Sequence, residues 1–505
     1  MVSASQTGVG GRGSRLTRRQ LLRAGGAAGL AAIAGTAAGD ELSNGLTVLP
    51  VNRVLSSVAP SDSQFRTRPD LRIPGLSVAS ISGGLAPGLI FIAPYNAPTG
   101  QQAGGVIVDN SGAPVWENPL AGLVTTNLRV QRYKGRAALT WWDGLISNGH
   151  GVGGYVIAGQ DYAPLRHVQA GNGLHADLHE FLLTDRGTAL LTAYRILTQD
   201  LRSVGGSEQG TIQDAIFQEI DLGSGRVLLE WHSLDHIPLS ESYWPVYEPW
   251  DYVHINSIDV DTDGNLLVNS RNTHTVYKVD RHSGEIIWRL GGKRSDFSVA
   301  SDATFAWQHD VRRQADGTLT MFDNEGFPNA SLNESRAIVL AVDEPARTAS
   351  LLREYRHPTP LLATSQGSVQ VLPNGNVFVG WGAEPYVSEF AASGDLLFDA
   401  QLGDKYLSYR AFRMPWSGAG PLAPRVAAER RGRRLDAWAS WNGDTRTRFW
   451  VVLAGARDGP LVPDSARPRE GFETRLTVRG DARRIAVRAL DYGGKVLGDS
   501  ATVRV

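Results

Sequence analysis

Cysteine is absent from all 505 residues. That excludes a disulfide framework, a thiolate nucleophile, an iron–sulfur cluster and Cys-ligated zinc. An excess of charge is missing as well: 50 Lys and Arg face 51 Asp and Glu, for a net charge of −1. Such a chain has no electrostatic case for wrapping nucleic acid or coating an anionic membrane. No apolar run reaches the roughly 18 residues that a membrane span needs. There is no G-x-x-x-x-G-K-[ST] loop, because neither Gly292-Lys293 nor Gly494-Lys495 is followed by Ser or Thr.

The longest apolar stretch, Ala24 to Ala38, follows Thr17-Arg18-Arg19-Gln20-Leu21-Leu22-Arg23. A basic lead, a short apolar run and small residues near Ala37-Ala38 read as a twin-arginine signal peptide over residues 1–40. The chain is then expected to be exported folded, to the periplasm, cell envelope or exterior. Residues 41–87 read as a lead-in segment.

What the chain does have is turn residues and aromatics: Gly 57, Pro 25, Trp 13, Tyr 14 and Phe 14. They suit many short strands joined by tight turns. From Gly88 to Asp404 a unit of paired hairpins recurs. One series of turns reads Thr184-Asp185-Arg186-Gly187, Asp261-Thr262-Asp263-Gly264-Asn265, Gln314-Ala315-Asp316-Gly317 and Leu372-Pro373-Asn374-Gly375-Asn376. A second series ends in aromatics at Trp116, Trp231, Trp288 and Phe398. Six such units give about 53 residues each, near the period of propeller blades. The expected fold is all-β: a six-bladed β-propeller over 88–414, a linker over 415–425, and a small fibronectin- or immunoglobulin-like β-sandwich over 426–505. A seventh blade is possible if Ser56 to Pro87 adds strands.

The histidines align on these turns. His179 lies eight residues before Gly187, His254 ten before Gly264, and His309 eight before Gly317. All three offsets are even, so at period 2 the side chains share a face, at the start of each unit's first strand. Seven residues past each glycine come Tyr194, Arg271 and Asn324, and Asn256 shares the parity of His254. Aromatics crowd the approach to His254, Trp250 among them, and Trp307 precedes His309 by two. His175 shares the parity of His179 and stands as a supporting candidate. His150, His167, His232, His236, His274, His282 and His357 lack this register and read as turn, surface or packing residues.

Imidazoles beside an Arg and an Asn suit a tetrahedral oxyanion, because the guanidinium fork pairs with two oxygens. Imidazole is also nucleophilic at neutral pH and can exchange protons there. Aromatics at the mouth could stack an aryl group.

At these residues the sequence resembles the bacterial arylsulfate sulfotransferase family, which does not use the nucleotide sulfate donor. The matching pieces are Leu178-His179-Glu180-Phe181, His254-Ile255-Asn256-Ser257-Ile258-Asp259 with Asn269-Ser270-Arg271, and Gln308-His309-Asp310 with Phe322-Asp323-Asn324. The resemblance covers roughly residues 80–415. It implies sulfuryl transfer from an aryl sulfate to a phenolic acceptor through a sulfohistidine, with no cofactor. Carried over, His309 is the nucleophile; His254, Asn256 and Arg271 form the sulfuryl pocket; and His179 is an acid/base or oxygen-binding group. Asn324, Tyr194, Trp250 and Trp307 are added as substrate-binding positions from register and proximity. The chain departs from the periplasmic members in placing its sandwich after the propeller and in lacking cysteine.

Two other readings stay open. Three imidazoles could hold zinc in a metal-dependent hydrolase, although Arg271 would sit beside the cation and no carboxylate falls in matching register. A non-catalytic binding propeller would use the same residues to recognise a sulfated or aryl ligand. Oligomeric state and the physiological acceptor are not legible.

Overall fold

The computed structural model describes residues 65–72, 75–98, 101–325, 334–403 and 405–505. The twin-arginine segment and most of the lead-in lie outside these residues. Of the described residues, Leu71–Trp416 form one compact unit, and 65–70 with Ser417–Val505 form another.

The chain is all-β. Helix among the described residues is confined to Ser233–His236 and three short 3-10 turns. In the larger unit the strands form six mainly antiparallel sheets. The second holds Val124–Tyr133, Arg136–Ser147, His150–Ala158 and Pro164–Val168. The third holds Phe181–Leu183, Thr188–Gln199, Gly210–Asp221 and Val227–His232. The fourth runs Ile255–Val260, Leu266–Ser270, Thr275–Val279 and Ile286–Gly291. The fifth opens with His309–Arg313 and Leu319–Asp323, and the sixth with Ser368–Val371 and Val377–Gly380. The first sheet takes its opening strand, Phe412–Met414, from the far end of the unit and pairs it with Leu89–Ile92. Ser77–Ile81 joins the sixth sheet beside Leu396–Gln401 and starts no seventh.

The Asp-Gly and Asn-Gly turns fall between the first and second strands of their sheets. Gly264 sits at φ 87° and Gly317 at φ 86°, backbone that glycine adopts without a Cβ penalty. Each sheet buries both faces. The third and fourth share a cluster around Phe217, Trp231, Ile258 and Val268, while the fourth and fifth share one around Trp288, Leu290, Val311 and Met321. The sixth sheet shares one with the first, around Phe378, Phe398, Ile90 and Val106.

Near the first-strand starts lies a largely buried charge network. Glu180 is 0% exposed and receives Arg129 at 2.7 Å, Arg410 at 3.3 Å, and Arg312. Asp310 pairs with Arg312 at 2.8 Å and Arg410 at 3.4 Å. Burial alone would raise the Glu180 carboxyl; the three guanidinium groups overcome it and hold the pKa far below the usual range.

The smaller unit has two sheets. One holds Arg425–Arg431, Arg434–Ser440 and Glu473–Val478; the other holds Val462–Pro468, Phe449–Gly455, Arg484–Leu490 and Val496–Asp499. Leu435 and Leu476 from the first, with Trp450 and Val487 from the second, share one apolar core.

Candidate functional site

The starts of the first strands of the third, fourth and fifth sheets converge on a cavity of about 450 Å3. His179, His254, Arg271 and His309 line it together, with Tyr95, Trp244, Tyr247, Asp251, Gln366 and Tyr409. The four residues expected to carry chemistry are therefore brought to one wall. The rings of His179 and His254 lie 4.6 Å apart, centroid to centroid.

Each of these two imidazoles is backed by a carboxylate close in sequence. His179 Nδ1 bonds Asp177 Oδ2, which also accepts from the His179 backbone and from Thr192 Oγ1 at 3.1 Å. His254 Nδ1 bonds Asp251 Oδ2 at 2.5 Å. Burial would raise the Asp177 carboxyl, but His179 and its hydrogen bonds bring it down to about 2. Burial outweighs Asp251 at His254 and lowers that imidazole to about 4, so it is neutral near pH 7.

His309 is 1% exposed. Its Nδ1 faces Asn324 Oδ1 at 2.7 Å, and Asn324 Nδ2 donates to the carbonyls of Ala363 and Gln366. Those two donated bonds fix which end of the amide is oxygen, so His309 carries its proton on Nδ1 and its lone pair on Nε2. The Gln366 N–H meets that Nε2 at 3.2 Å. Burial, then Arg271, depresses the pKa of His309 well below 6.5.

The Arg271 guanidinium lies 4.8 Å from the ring of Trp307 and 5.4 Å from that of Trp244. It donates to Asn272 Oδ1 at 2.8 Å and to the Thr364 carbonyl at 3.2 Å. Burial lowers its pKa to about 10, so it remains a cation.

Five expected positions fall elsewhere. Asn324, expected to bind substrate, stands behind His309 with its side chain on Nδ1 and two backbone carbonyls, off the cavity wall. Asn256 is buried with its side chain on Asn269 and the Gln308 carbonyl, off the cavity wall. The reason is a bulge: Ile255 pairs with Ser270 and Ser257 with Asn269, so Asn256 is the extra residue and period-2 counting fails there. Trp250 packs in the core between the third and fourth sheets. Trp307 is 0% exposed and acts beneath the wall, as a platform for Arg271 and as the edge partner of Trp244. Tyr194 donates its hydroxyl to the Ile255 carbonyl at 2.8 Å. The supporting candidate His175 is exposed.

His150 corrects the sequence reading most. Read as a turn or packing residue, it belongs to the site: its Nε2 reaches Asp251 Oδ2 at 3.1 Å, and its ring lies 5.0 Å from His254 and 5.9 Å from His179. It arrives on the long hairpin of the second sheet, whose Ile146, Asn148 and Gly149 line the cavity. Burial disfavours its cation, but Asp251 and Asp177 outweigh that and raise its pKa. The argument that no carboxylate accompanies the imidazoles also fails, since Asp177 and Asp251 both do. The triads His150, Asp177, His179 and His150, Asp251, His254 each place their candidate ligand atoms within 4.8 Å of one another. The spacings Asp177-x-His179 and Asp251-x-x-His254 were the available signal.

An all-β scaffold gathers His179, His254, His309, Asp251 and Arg271 at one cavity, with Asp177 behind His179 and His150 against Asp251. The chain belongs to the arylsulfotransferase (ASST) family, whose model matches residues 129–403. That membership supports arylsulfotransferase-like activity on small aryl substrates. No curated protein matches the chain. Among solved structures it is similar to a protein of unknown function from Bacteroides caccae, at 13% identity over 65% of this chain and 98% of that one, TM-score 0.41. It is also similar to a periplasmic gluconolactonase of Pseudomonas aeruginosa, at 14% identity over 83% and 96%, TM-score 0.35. A virginiamycin B lyase from Staphylococcus aureus matches at 10% identity over 73% and 96%, TM-score 0.34. Among the described residues no helix is long and apolar enough to cross a membrane.

Proposed function

We infer that the protein is a nucleotide-independent aryl sulfotransferase that passes a sulfuryl group from an aryl sulfate to a phenol through His309. The observation that carries this reading is His309 itself: buried on the cavity wall, kept neutral by burial and Arg271, with Nδ1 committed to Asn324. Nε2 attacks sulfur, the sulfur–oxygen bond to the aryl group breaks, and the aryloxide takes the electron pair. His179, oriented by Asp177, gives that oxygen a proton and takes one back from the acceptor phenol, whose oxygen then displaces Nε2. Arg271 supplies the fixed positive charge beside the sulfuryl oxygens. Once the lone pair of Nε2 is spent on sulfur, the Gln366 N–H is left beside those oxygens. Trp244, Tyr247, Tyr95 and Tyr409 supply aromatic surface for the aryl ring.

The scaffold is read as a six-bladed β-propeller, supported by six sheets and by the core that the sixth shares with the first. Residues 426–505 are read as a sandwich, on two sheets sharing one core. Export through a twin-arginine signal in residues 1–40, to the periplasm, envelope or exterior, completes the proposal.

The test is 4-nitrophenyl sulfate turnover by chelator-washed protein with phenol as acceptor and no nucleotide. Phenol-dependent nitrophenolate release is expected. Release without phenol would mean a hydrolase, and none from any of several aryl donors would mean a binding protein.

A further inference from the structure

The net charge of −1 conceals two oppositely charged units. Residues 417–505 carry 17 Lys and Arg against 10 Asp and Glu, a net +7, while 71–416 carry 25 against 37, a net −12. We propose that one end of the smaller unit is a docking surface for an acidic polysaccharide, held through the polymer's carboxylate or sulfate groups. The inference goes beyond sulfuryl transfer and involves no residue of the cavity.

Strand register gathers the cations. Arg431, Arg433 and Arg434 surround the turn that joins Arg425–Arg431 to Arg434–Ser440. Leu435 pairs with Val478, so the next step along both chains sets Arg434 beside Arg479. Arg430 reaches the Ala482 carbonyl at 2.6 Å, and the Arg483 N–H bonds the Gly455 carbonyl at 2.9 Å. That bond leads into the second sheet, where Arg484 pairs with Arg504. Arg484 also donates to the Ala456 and Gly459 carbonyls, on either side of Arg457. Packed sheets lie about 10 Å apart, so arginines from both meet at a single end of the unit.

Charge at this end is only partly cancelled. Asp481 is shared by Arg430 at 3.5 Å and Arg483 at 3.3 Å. Asp436 is shared by Arg434 at 3.1 Å and Arg475 at 2.7 Å. Arg433, Arg457, Arg479 and Arg504 are exposed and form no salt bridge among the described residues. Their guanidinium forks are open to pair with two oxygens of one carboxylate or sulfate.

The rest of the surface selects the polymer. Among the described residues the unit has no helix to enter a DNA groove. Its exposed aromatic, Tyr492, follows Arg484–Leu490 and so lies at the opposite end, away from these arginines, where it offers no platform for bases. Val462 is the exposed large apolar side chain at the arginine end, too little for insertion into a lipid surface. Sixteen of the unit's 17 cations are arginine, which suits flat oxyanions spaced along a chain.

The experiment measures binding of the full-length protein to immobilised alginate and dextran sulfate, with neutral dextran, duplex DNA and anionic phospholipid vesicles alongside. Saturable binding to at least one acidic polysaccharide is expected, with none to neutral dextran. Binding to alginate identifies carboxylate as the recognised group, and binding to dextran sulfate identifies sulfate. Affinity should fall about tenfold or more between about 50 and 200 mM salt. Arg433→Gln, Arg457→Gln, Arg479→Gln and Arg504→Gln together should weaken binding by about tenfold or more. Removing the same charge at the other end, by Arg425→Gln, Arg448→Gln, Arg467→Gln and Lys495→Gln, should cost less than about threefold; thermal melts check that both variants fold. Absence of saturable binding, equal losses in the two variants, or tighter binding of DNA or vesicles than of either polysaccharide would overturn the proposal.

Discussion

Replacing Asn324 by Ala tests the wiring of the proposed nucleophile without touching the cavity wall. Asn324 is 0% exposed, and its Oδ1 takes the Nδ1–H of His309 at 2.7 Å. In the free enzyme this is a neutral hydrogen bond, worth about 1 kcal/mol net. When Nε2 attacks sulfur the ring gains positive charge, and the same bond becomes charge-assisted, worth about 1.5–3 kcal/mol. The bond is therefore stronger in the transition state than in the ground state by about 1 kcal/mol, and Asn324→Ala loses that difference, a fall of roughly fivefold in kcat. KM should stay within about twofold, because Asn324 is absent from the residues lining the cavity. The variant also strips donors from the Ala363 and Gln366 carbonyls, at a cost of about 2–3 kcal/mol in stability. The assay is steady-state aryl sulfate turnover at a temperature where thermal melts show both proteins folded. Turnover by the folded variant within threefold of wild type, or a loss carried by KM, would refute the reasoning.

Glu180→Gln should destabilise the larger unit by on the order of 3–5 kcal/mol, since it leaves Arg312 and Arg410 sharing Asp310 and Arg129 with no carboxylate in its ion pair; urea unfolding checks this, and a change below 1 kcal/mol would count against it. Arg271→Lys should lower kcat/KM for aryl sulfates by roughly 10- to 100-fold, because an ammonium cannot keep both the Asn272 and Thr364 bonds while facing two oxygens. The pKa of His309 is depressed, so its neutral form persists as pH falls through 6.5. The rate of sulfuryl labelling of His309 should therefore hold from pH 7.5 to 6; a fall with an apparent pKa near 6.5 in rapid-quench labelling would contradict the buried, neutral nucleophile.

How far the sequence could be read depended on where period 2 holds. Turn chemistry located the hairpins, because Asp-Gly and Asn-Gly segments are local signals, and counting back eight to ten residues from them reached three first-strand starts that line one cavity. Parity failed at Asn256, where a bulge inserts a residue, and His309–Arg313 carries the same irregularity. Trp250 and Trp307 were placed by proximity along the chain, which does not separate a wall residue from one packed beneath it. His150 was missed because it reaches the cavity on a hairpin arm from a different sheet. No strand-register count includes such a residue, although Gly151 and Gly153 beside it mark a backbone that approaches its neighbours closely. At Gly151 a Cβ would fall 2.8 Å from the Leu178 nitrogen.

The most direct test of the account is to incubate the protein with an aryl sulfate in the absence of acceptor, quench it, and map the added mass by peptide analysis. The account predicts one acid-labile sulfuryl group per chain, on His309, lost on adding phenol and absent from His309→Asn. The same label on another residue, or full phenol-dependent turnover by His309→Asn, would contradict it.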